Sequence, residues 1–243
     1  VAGVYYFYQE LDADAHLEFG TDVLALFGAP LGAFPGSVGH QFSDNVNESY
    51  ALFGQTTYEI DDAWSVTAGL RYTDEEKEIT YHTITDFFGA TPNVPDPVKA
   101  STDENVFSGM VSLKYQISDE AQAYGSYSKG FKAGGFNAFG LVQSDGSIAE
   151  FEPEFVESYE FGFKSTFLNN RAKINASIFY LDYQDLQVNQ QFNTDNGGIL
   201  FLTSNAASSE VLGFEVEGTV KATKNLELRA AYGYSAGEYD EFT

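Results

Sequence analysis

The sequence predicts an all-β fold, namely a segment of an antiparallel transmembrane β-barrel with about nine strands. Three observations support this prediction: the strands are long and two-faced, short turns alternate with long loops, and aromatic residues stand eight apart on the apolar faces. The 243 residues include 22 Phe and 16 Tyr, and the 23 Gly outnumber the 6 Pro. This composition is typical of many strands joined by glycine-bearing bends.

The clearest two-faced strands form a predicted hairpin within residues 155–188. In its first arm the apolar residues share one parity and the polar residues the other, which is the period-two pattern of a strand. Asn169, Asn170 and Arg171 make the turn, and the return arm alternates in the same way. Each arm has at least ten strand-like residues, about the length of a tilted membrane-spanning strand. The apolar face of the hairpin is therefore predicted to contact lipid.

The other strands show the same alternation to different degrees. It is clearest within residues 64–72. The pattern does not identify the lipid-facing side of two strands. Residues 5–8 are all aromatic, and in the strand that contains Tyr124 and Tyr127 these two tyrosines differ in parity. In chain order the predicted strands cover residues 1–14, 50–60, 64–83, 107–117, 121–131, 155–167, 174–188, 212–220 and 226–234.

Short turns and long loops alternate along the chain. The turns lie near Asp61, Asp119, Asn169 and Lys224, so that one hairpin and one long loop recur every 50 to 58 residues. Short turns at one end and long loops at the other are the asymmetry of outer-membrane barrels, whose loops lie outside the cell. The predicted outer loops lie near residues 15–45, 85–102, 133–154 and 189–208, with one short helical turn near residues 23–27.

Aromatic residues mark the two ends of the apolar faces. A spacing of eight residues corresponds to about 26 Å along a strand and about 20 Å along the membrane normal at a tilt near 40°. The predicted lipid-facing girdle consists of Tyr50, Tyr58, Trp64, Tyr72, Tyr159 and Phe167. A repeat near 50 residues also fits a kelch-type propeller. Two long strands in each repeat, where a propeller blade has four short ones, favour the barrel.

Composition excludes several classes of function. The formal net charge of -24, from 36 acidic and 12 basic residues, argues against nucleic acid as a partner. The chain has no Cys and therefore no disulfide or thiolate metal site. A mean hydropathy of -0.23 and the lack of any apolar run near 18 residues exclude membrane helices, whereas the alternating strands of a barrel average out on such a scale.

Few residues stand in patterns that suggest chemistry. Asp12, Asp14 and His16 alternate along a strand, so they could place three metal ligands on one side, but a polar strand end is the favoured interpretation. His40 and His82 are predicted to be solitary and solvated. No nucleophile, base and orienting group occur together, so neither an enzyme nor a metal or cofactor site is predicted.

Four stretches resemble the barrel of TonB-dependent outer-membrane receptors, and they look most like iron-complex receptors. They are ALFGQTTYEIDDAWSVTAGLRYTDE (51–75), YGSYSKGFKAGGFN (124–137), PEFVESYEFGFKSTFLNNRAKINASIFYLDYQDLQV (153–188) and GFEVEGTVKATKNLELRAAYGYS (213–235). The resemblance implies a 22-stranded barrel plugged by a separate N-terminal domain. No plug, TonB box or closing strand is recognisable in this sequence. Nine strands is also an odd number, whereas bacterial barrels close with an even number, so we expect a barrel fragment.

The position of the loops outside the cell indicates where a ligand would bind. We expect recognition in the outer loops, whose aromatic and polar groups could wrap a chelate or a sugar. The candidates are Tyr81, His82, Phe87, Phe88, Phe192, Asn193, Asp195 and Asn196. Polar residues on the other strand face are expected to line a wet lumen or touch the plug, and they are Gln55, Glu59, Arg71, Glu160, Lys164, Glu215, Glu217 and Arg229.

The expected function is uptake of a scarce nutrient across a bacterial outer membrane, with energy relayed by TonB. An iron–siderophore complex is the substrate class that the resemblance implies. The expected partners are outer-membrane lipid, TonB through a plug outside this chain, and an iron chelate or other small nutrient. The alternatives are a passive porin and, in another class, a soluble β-propeller binding module.

Overall fold

Strands account for nearly all of the described structure. The computed structural model describes residues 1–18, 38–83, 94–137, 147–193 and 199–242. The strands in these ranges are β1 (Ala2–Glu18), β2 (Val38–Glu59), β3 (Trp64–Thr83), β4 (Val94–Ser118), β5 (Ala121–Lys132), β6 (Gly135–Phe136), β7 (Glu150–Phe151), β8 (Glu154–Phe167), β9 (Ala172–Asn193), β10 (Ile199–Thr223) and β11 (Leu226–Phe242). Within these ranges no helix has the length and hydropathy needed to cross a bilayer.

Nine strands form one antiparallel sheet in the order β1-β2-β3-β4-β5-β8-β9-β10-β11. Strands β6 and β7 form a separate two-stranded ribbon, which is inserted between β5 and β8. The large sheet is open, with β1 and β11 at its edges. The predicted antiparallel architecture of about nine strands is therefore confirmed.

Four short turns lie at one end of the large sheet, here called the turn end. In the first of them the Asp61 carboxylate accepts hydrogen bonds from the backbone N–H groups of Ala63 and Trp64, both at 2.8 Å. In another, Asn169 and Asn170 have φ angles of 56° and 63°, a left-handed conformation that Asn tolerates better than most residues. The opposite end of the sheet is called the far end.

The strand register gives the large sheet two unlike faces. Leu52 lies opposite Val4 on one neighbouring strand and opposite Tyr72 on the other, so these side chains share a face. Following the pairs from strand to strand places most large hydrophobic side chains on this face, which we call the apolar face. Leu70 and Phe161 are 60% and 59% exposed there, and no second layer of described residues covers them.

The register also decides the facing of the first strand. Tyr6 lies opposite Tyr50 and therefore belongs to the apolar face. Tyr5 points to the opposite surface, the polar face, where the Arg71 guanidinium lies 5.0 Å from the centre of its ring. A run of four aromatic residues thus divides evenly between two environments, and the contact with Arg71 explains why aromatic residues occur on both sides.

All four ranges predicted as loops contain strand. β1 reaches Glu18, β2 begins at Val38 and β4 begins at Val94. β9 reaches Asn193 and β10 resumes at Ile199, while the range 133–154 contains β6 and β7. The predicted bounds were wrong because apolar alternation stops at the end of the apolar band, whereas backbone pairing continues with polar side chains. The helical turn predicted near 23–27 lies outside the described residues.

Strands β5 and β8 have 12 and 14 residues, whereas β4 and β9 have 25 and 22. Among the described strands, residues 94–108 of β4 therefore pair only with β3, and residues 186–193 of β9 pair only with β10. This explains how Pro95 and Pro97 fit within a strand, since a proline is tolerated where the ladder has no partner on one side.

Candidate functional site

The apolar face carries all six residues of the predicted girdle. Tyr50, Tyr58, Trp64, Tyr159 and Phe167 are between 37% and 69% exposed, and Tyr72 is half-buried. Exposed aromatic side chains on one face of a strand have no core to fill. Their amphipathic rings suit the boundary between hydrocarbon and water.

Cross-strand contacts extend this girdle to residues that the sequence analysis did not select. The rings of Tyr6 and Tyr50 are 5.0 Å apart, and the ring of Trp64 lies 4.4 Å from that of Tyr115. Tyr127 lies against Tyr159 at 5.1 Å. These additional members could be identified only from the strand register, because each is the direct cross-strand partner of a predicted girdle residue.

Carboxylates accept hydrogen bonds from three tyrosines on the far-end side of the girdle. Tyr6 and Tyr50 both donate hydrogen bonds to Glu48, at 3.0 and 2.7 Å. Tyr159 donates to Glu157 at 3.1 Å. Each tyrosine thus presents an apolar ring towards the apolar band and a hydroxyl towards charged groups. This arrangement marks a transition from an apolar to an aqueous environment.

The polar face contains every residue predicted to line a lumen. These residues are Gln55, Glu59, Arg71, Glu160, Lys164, Glu215, Glu217 and Arg229. Tyr124 donates a hydrogen bond to Glu160, and the Lys164 ammonium lies 5.2 Å above the Tyr124 ring. Arg229 forms an ion pair with Glu227 at 2.6 Å. Charges on this face are thus partly compensated by nearby side chains, both within a strand and across strands.

Three aromatic rings on the polar face lie over glycines. In each case the two residues are direct partners in the register: Phe53 with Gly3, Tyr124 with Gly162, and Phe179 with Gly213. A β-carbon at any of these glycines would overlap the ring. The rings fill the space that the glycines leave, which covers the glycine backbone and strengthens the pairing.

The β6–β7 ribbon lies on the polar face at the far end. Ile148, beside the ribbon, packs against Ile79 and Tyr81, and these three form the one cluster of buried hydrophobic residues in the described part of the chain. Lys77 donates a hydrogen bond to the Gly134 carbonyl, and the Gly134 N–H donates to Glu104 at 2.9 Å. One side of the ribbon is thus fastened to β3 and β4.

A second set of hydrogen bonds fastens the ribbon to β9 and β10. The Gln187 side-chain amide donates to the carbonyls of Ala133 and Glu152, both at 3.0 Å. Asn205 accepts from the Glu152 N–H at 2.7 Å and donates to its carbonyl at 2.8 Å. The ribbon therefore bridges two strand pairs across the space above the short strands β5 and β8.

Glu104 is the electrostatic centre of this bridge. Burial raises the pKa of its carboxyl, while the hydrogen bond from Gly134 and the nearby Lys77 act in the opposite direction. Glu75 and Glu152 raise it further. Lys77 is shared, because it also forms an ion pair with Glu75 at 3.1 Å. The carboxyl that accepts the hydrogen bond from Gly134 therefore takes up a proton more readily than an exposed carboxyl does.

The predicted ligand residues do not form one cluster. Tyr81 is 3% exposed beneath the ribbon, and its hydroxyl has no hydrogen-bond partner among the described residues. His82 points to the opposite face, where its ring stacks on Phe42 at 4.6 Å. Phe192 and Asn193 belong to the end of β9. Phe87, Phe88, Asp195 and Asn196 lie outside the described residues.

In the parts of the chain that the structure describes, no group of three or more His, Asp or Glu residues is arranged to hold a metal ion. Asp12, Asp14 and His16 do share one face of β1. His40 was predicted from the sequence to be solitary, and this prediction was wrong. The pairing of β1 with β2 places His40 next to His16. Sequence alone could not reveal this pair, since 24 residues separate its members.

Solved structures with a similar fold include two siderophore receptors. The ferric yersiniabactin uptake receptor FyuA from Yersinia pestis gives a TM-score of 0.78 at 16% identity, over 99% of this chain and 33% of that one. The siderophore receptor PiuA from Acinetobacter baumannii gives a TM-score of 0.70 at 19% identity, over 99% of this chain and 35% of the PiuA chain. At these identities the likeness establishes the fold.

Curated relatives are longer than this chain. The pesticin receptor of Yersinia pestis is 23% identical over 172 residues, which cover 70% of this chain and 23% of that receptor. The pesticin receptor of Yersinia enterocolitica matches to the same extent. The chain thus spans less than two thirds of the length of these relatives.

The sequence profile of one family matches the chain from residue 3 to residue 243, and its description is TonB dependent receptor-like, beta-barrel. This match confirms the resemblance found in the sequence. Barrels of this family are outer-membrane transport receptors of Gram-negative bacteria. The protein belongs to the TonB-dependent receptor-like β-barrel family.

Proposed function

We propose that this chain forms part of the barrel wall of an outer-membrane receptor, which takes up a scarce nutrient with energy relayed by TonB. The observation that carries this proposal is the separation of the two faces of one sheet. Exposed Leu, Phe and Tyr side chains cover one face, and Gln, Glu, Lys and Arg side chains lie on the other. Such a wall is stable between lipid and an aqueous or plugged lumen.

Our proposed substrate class is an iron–siderophore complex. This choice is supported by the receptors of similar fold, one of which takes up ferric yersiniabactin while another is a siderophore receptor. Coupling to TonB would require a plug, which we place outside this chain. The far end of the sheet would then face the outside of the cell, and the turn end would face the periplasm.

Ligand contacts are proposed at the far end, in the connections that join the strands. Our candidates there remain Phe87, Phe88, Phe192, Asn193, Asp195 and Asn196. Tyr81 would reach a ligand only after the ribbon leaves the polar face, since the ribbon covers its ring.

The test is growth of a strain that lacks the gene for the complete protein. Under iron limitation, ferric siderophores are supplied one at a time. We expect the deletion to abolish growth on at least one of them, the wild-type gene to restore it, and deletion of tonB to have the same effect. Transport that persists without TonB would contradict TonB-dependent uptake and would identify the protein as a passive porin. If no siderophore depended on the gene, the substrate class would be wrong.

A further inference from the structure

All three histidines of the chain lie near the far ends of β1, β2 and β3. His16 is the register partner of His40, and Phe42 is the partner of His82. All of these side chains belong to the same surface of the sheet as Tyr72. His82 lies ten residues beyond Tyr72 along β3, which is about 25 Å along the normal at a tilt near 40°. The histidines are therefore well outside the apolar band.

The geometry of one pair is suited to a metal ion. The Nδ1 atoms of His16 and His40 are 3.4 Å apart, and the two rings are nearly perpendicular, with centroids separated by 4.1 Å. Two nitrogen ligands at 2.0–2.1 Å from a tetrahedral ion are about 3.3–3.4 Å apart. The two nitrogens thus already have the separation that such an ion requires.

The surroundings keep this pair in place and open to solvent. His40 is paired with His16 in the β1–β2 ladder, and its ring stacks on Phe42 at 6.0 Å with an interplanar angle of 11°. His16 is exposed, so an ion from solution can reach the two nitrogens. His82 is separated from the pair by Phe42, on whose ring it stacks.

We propose that His16 and His40 bind a divalent transition-metal ion through their Nδ1 atoms. Imidazole nitrogens favour Zn²⁺, Cu²⁺ and Ni²⁺, whereas Mg²⁺ and Ca²⁺ require oxygen ligands. The described residues supply two ligands, so the remaining positions are taken by water or by donor atoms of another molecule. The ion joins the far ends of β1 and β2 and adds a cross-link to their backbone pairing. This site is independent of the proposed transport function.

The test is a zinc titration of the complete protein, purified without a histidine tag in detergent micelles. Isothermal calorimetry with ZnCl₂ measures the stoichiometry of the wild type, His16→Ala and His40→Ala. We expect each variant to bind one Zn²⁺ fewer than the wild type. His82→Ala is the matched control, and it should keep the wild-type stoichiometry because Phe42 separates its ring from the pair. A parallel titration with MgCl₂ should show no difference between wild type and variants.

Folding of each variant is verified by the mobility shift between heated and unheated samples, which reports a closed barrel. Equal zinc stoichiometry in folded wild type, His16→Ala and His40→Ala would overturn the proposal, and the two rings would then be a hydrogen-bonded pair only. A loss in the His82→Ala control equal to that in the two variants would also overturn it, because the site would not be the one described. A matching Mg²⁺ site would overturn the assigned class of ion.

Discussion

The ring of Tyr124 lies against Gly162, its cross-strand partner on the polar face, so closely that a β-carbon at position 162 would overlap the ring. The hydroxyl of the same tyrosine donates to Glu160, two residues earlier on the partner strand. Tyr124 thus joins β5 to β8 through a shape match at its ring and a hydrogen bond at its tip. The same shape match joins β1 to β2 and β9 to β10.

Gly162→Ala is expected to destabilise the barrel by about 1–3 kcal/mol, because the added methyl group must displace the Tyr124 ring. Urea unfolding in lipid vesicles measures the change. Gly125→Ala is the control, since its β-carbon would have only the Glu160 carbonyl nearby, at 3.9 Å. That variant should be neutral or slightly more stable. Equal losses at the two glycines would show that the ring contact is unimportant.

Leu70→Arg is expected to reduce the stability of the inserted barrel by about 2 kcal/mol, because Leu70 is exposed on the apolar face between the two aromatic rows. Thr67→Arg lies on the polar face, where it loses one hydroxyl contact with Thr57. Its cost should remain below about 1 kcal/mol. Folding equilibria in vesicles compare the two variants, and a larger cost for Thr67→Arg would reverse our assignment of the faces.

Gln187→Ala should loosen the ribbon, because its side chain donates to three backbone carbonyls, two of which belong to Ala133 and Glu152. Limited proteolysis followed by mass spectrometry measures cleavage within residues 133–152. We expect cleavage to increase several-fold in the variant. Gln184→Ala, on the same strand and without a contact to the ribbon, is the control. Unchanged cleavage in Gln187→Ala would show that the remaining contacts to β3, β4 and β10 hold the ribbon without Gln187.

The ribbon should detach more readily as the pH rises. Glu104 lies three residues beyond Phe107, outside the apolar band, and burial raises the pKa of its carboxyl above its ordinary value of 4.5. A carboxyl whose pKa is raised on folding stabilises the folded state while it is protonated. Its contribution is therefore full below about 4.5 and is lost as the pH rises through the raised value.

Glu104→Gln tests this pH dependence, because the amide oxygen can still accept the hydrogen bond from Gly134 but cannot ionise. Proteolysis of the ribbon at pH 5 and pH 7.5 is compared for the two proteins, with a correction for the pH dependence of the protease. The difference between the two pH values should be smaller in the variant. Glu75 and Glu152 are present in both proteins, so the two proteins differ only in the Glu104 carboxyl. If proteolysis of the ribbon changed equally between the two pH values in the wild type and in Glu104→Gln, another group would cause the pH response.

The sequence by itself determined the class of fold, the number of long strands and the separation of apolar from polar residues. Side chains alternate between the faces of any strand, so local parity is sufficient to sort residues of a single strand such as β8. The short turns were also predictable from local sequence, because Asp and Asn side chains form hydrogen bonds to backbone groups within the turn itself.

Only the tertiary structure decided which groups meet across strands. The closeness of His16 to His40, the seating of Tyr124 on Gly162 and the docking of the ribbon on Tyr81 all depend on register between distant segments. A shift of one residue in pairing would reverse every face without changing the pattern along any one strand. Contacts of this kind are therefore a property of the assembled sheet, and the local sequence does not contain them.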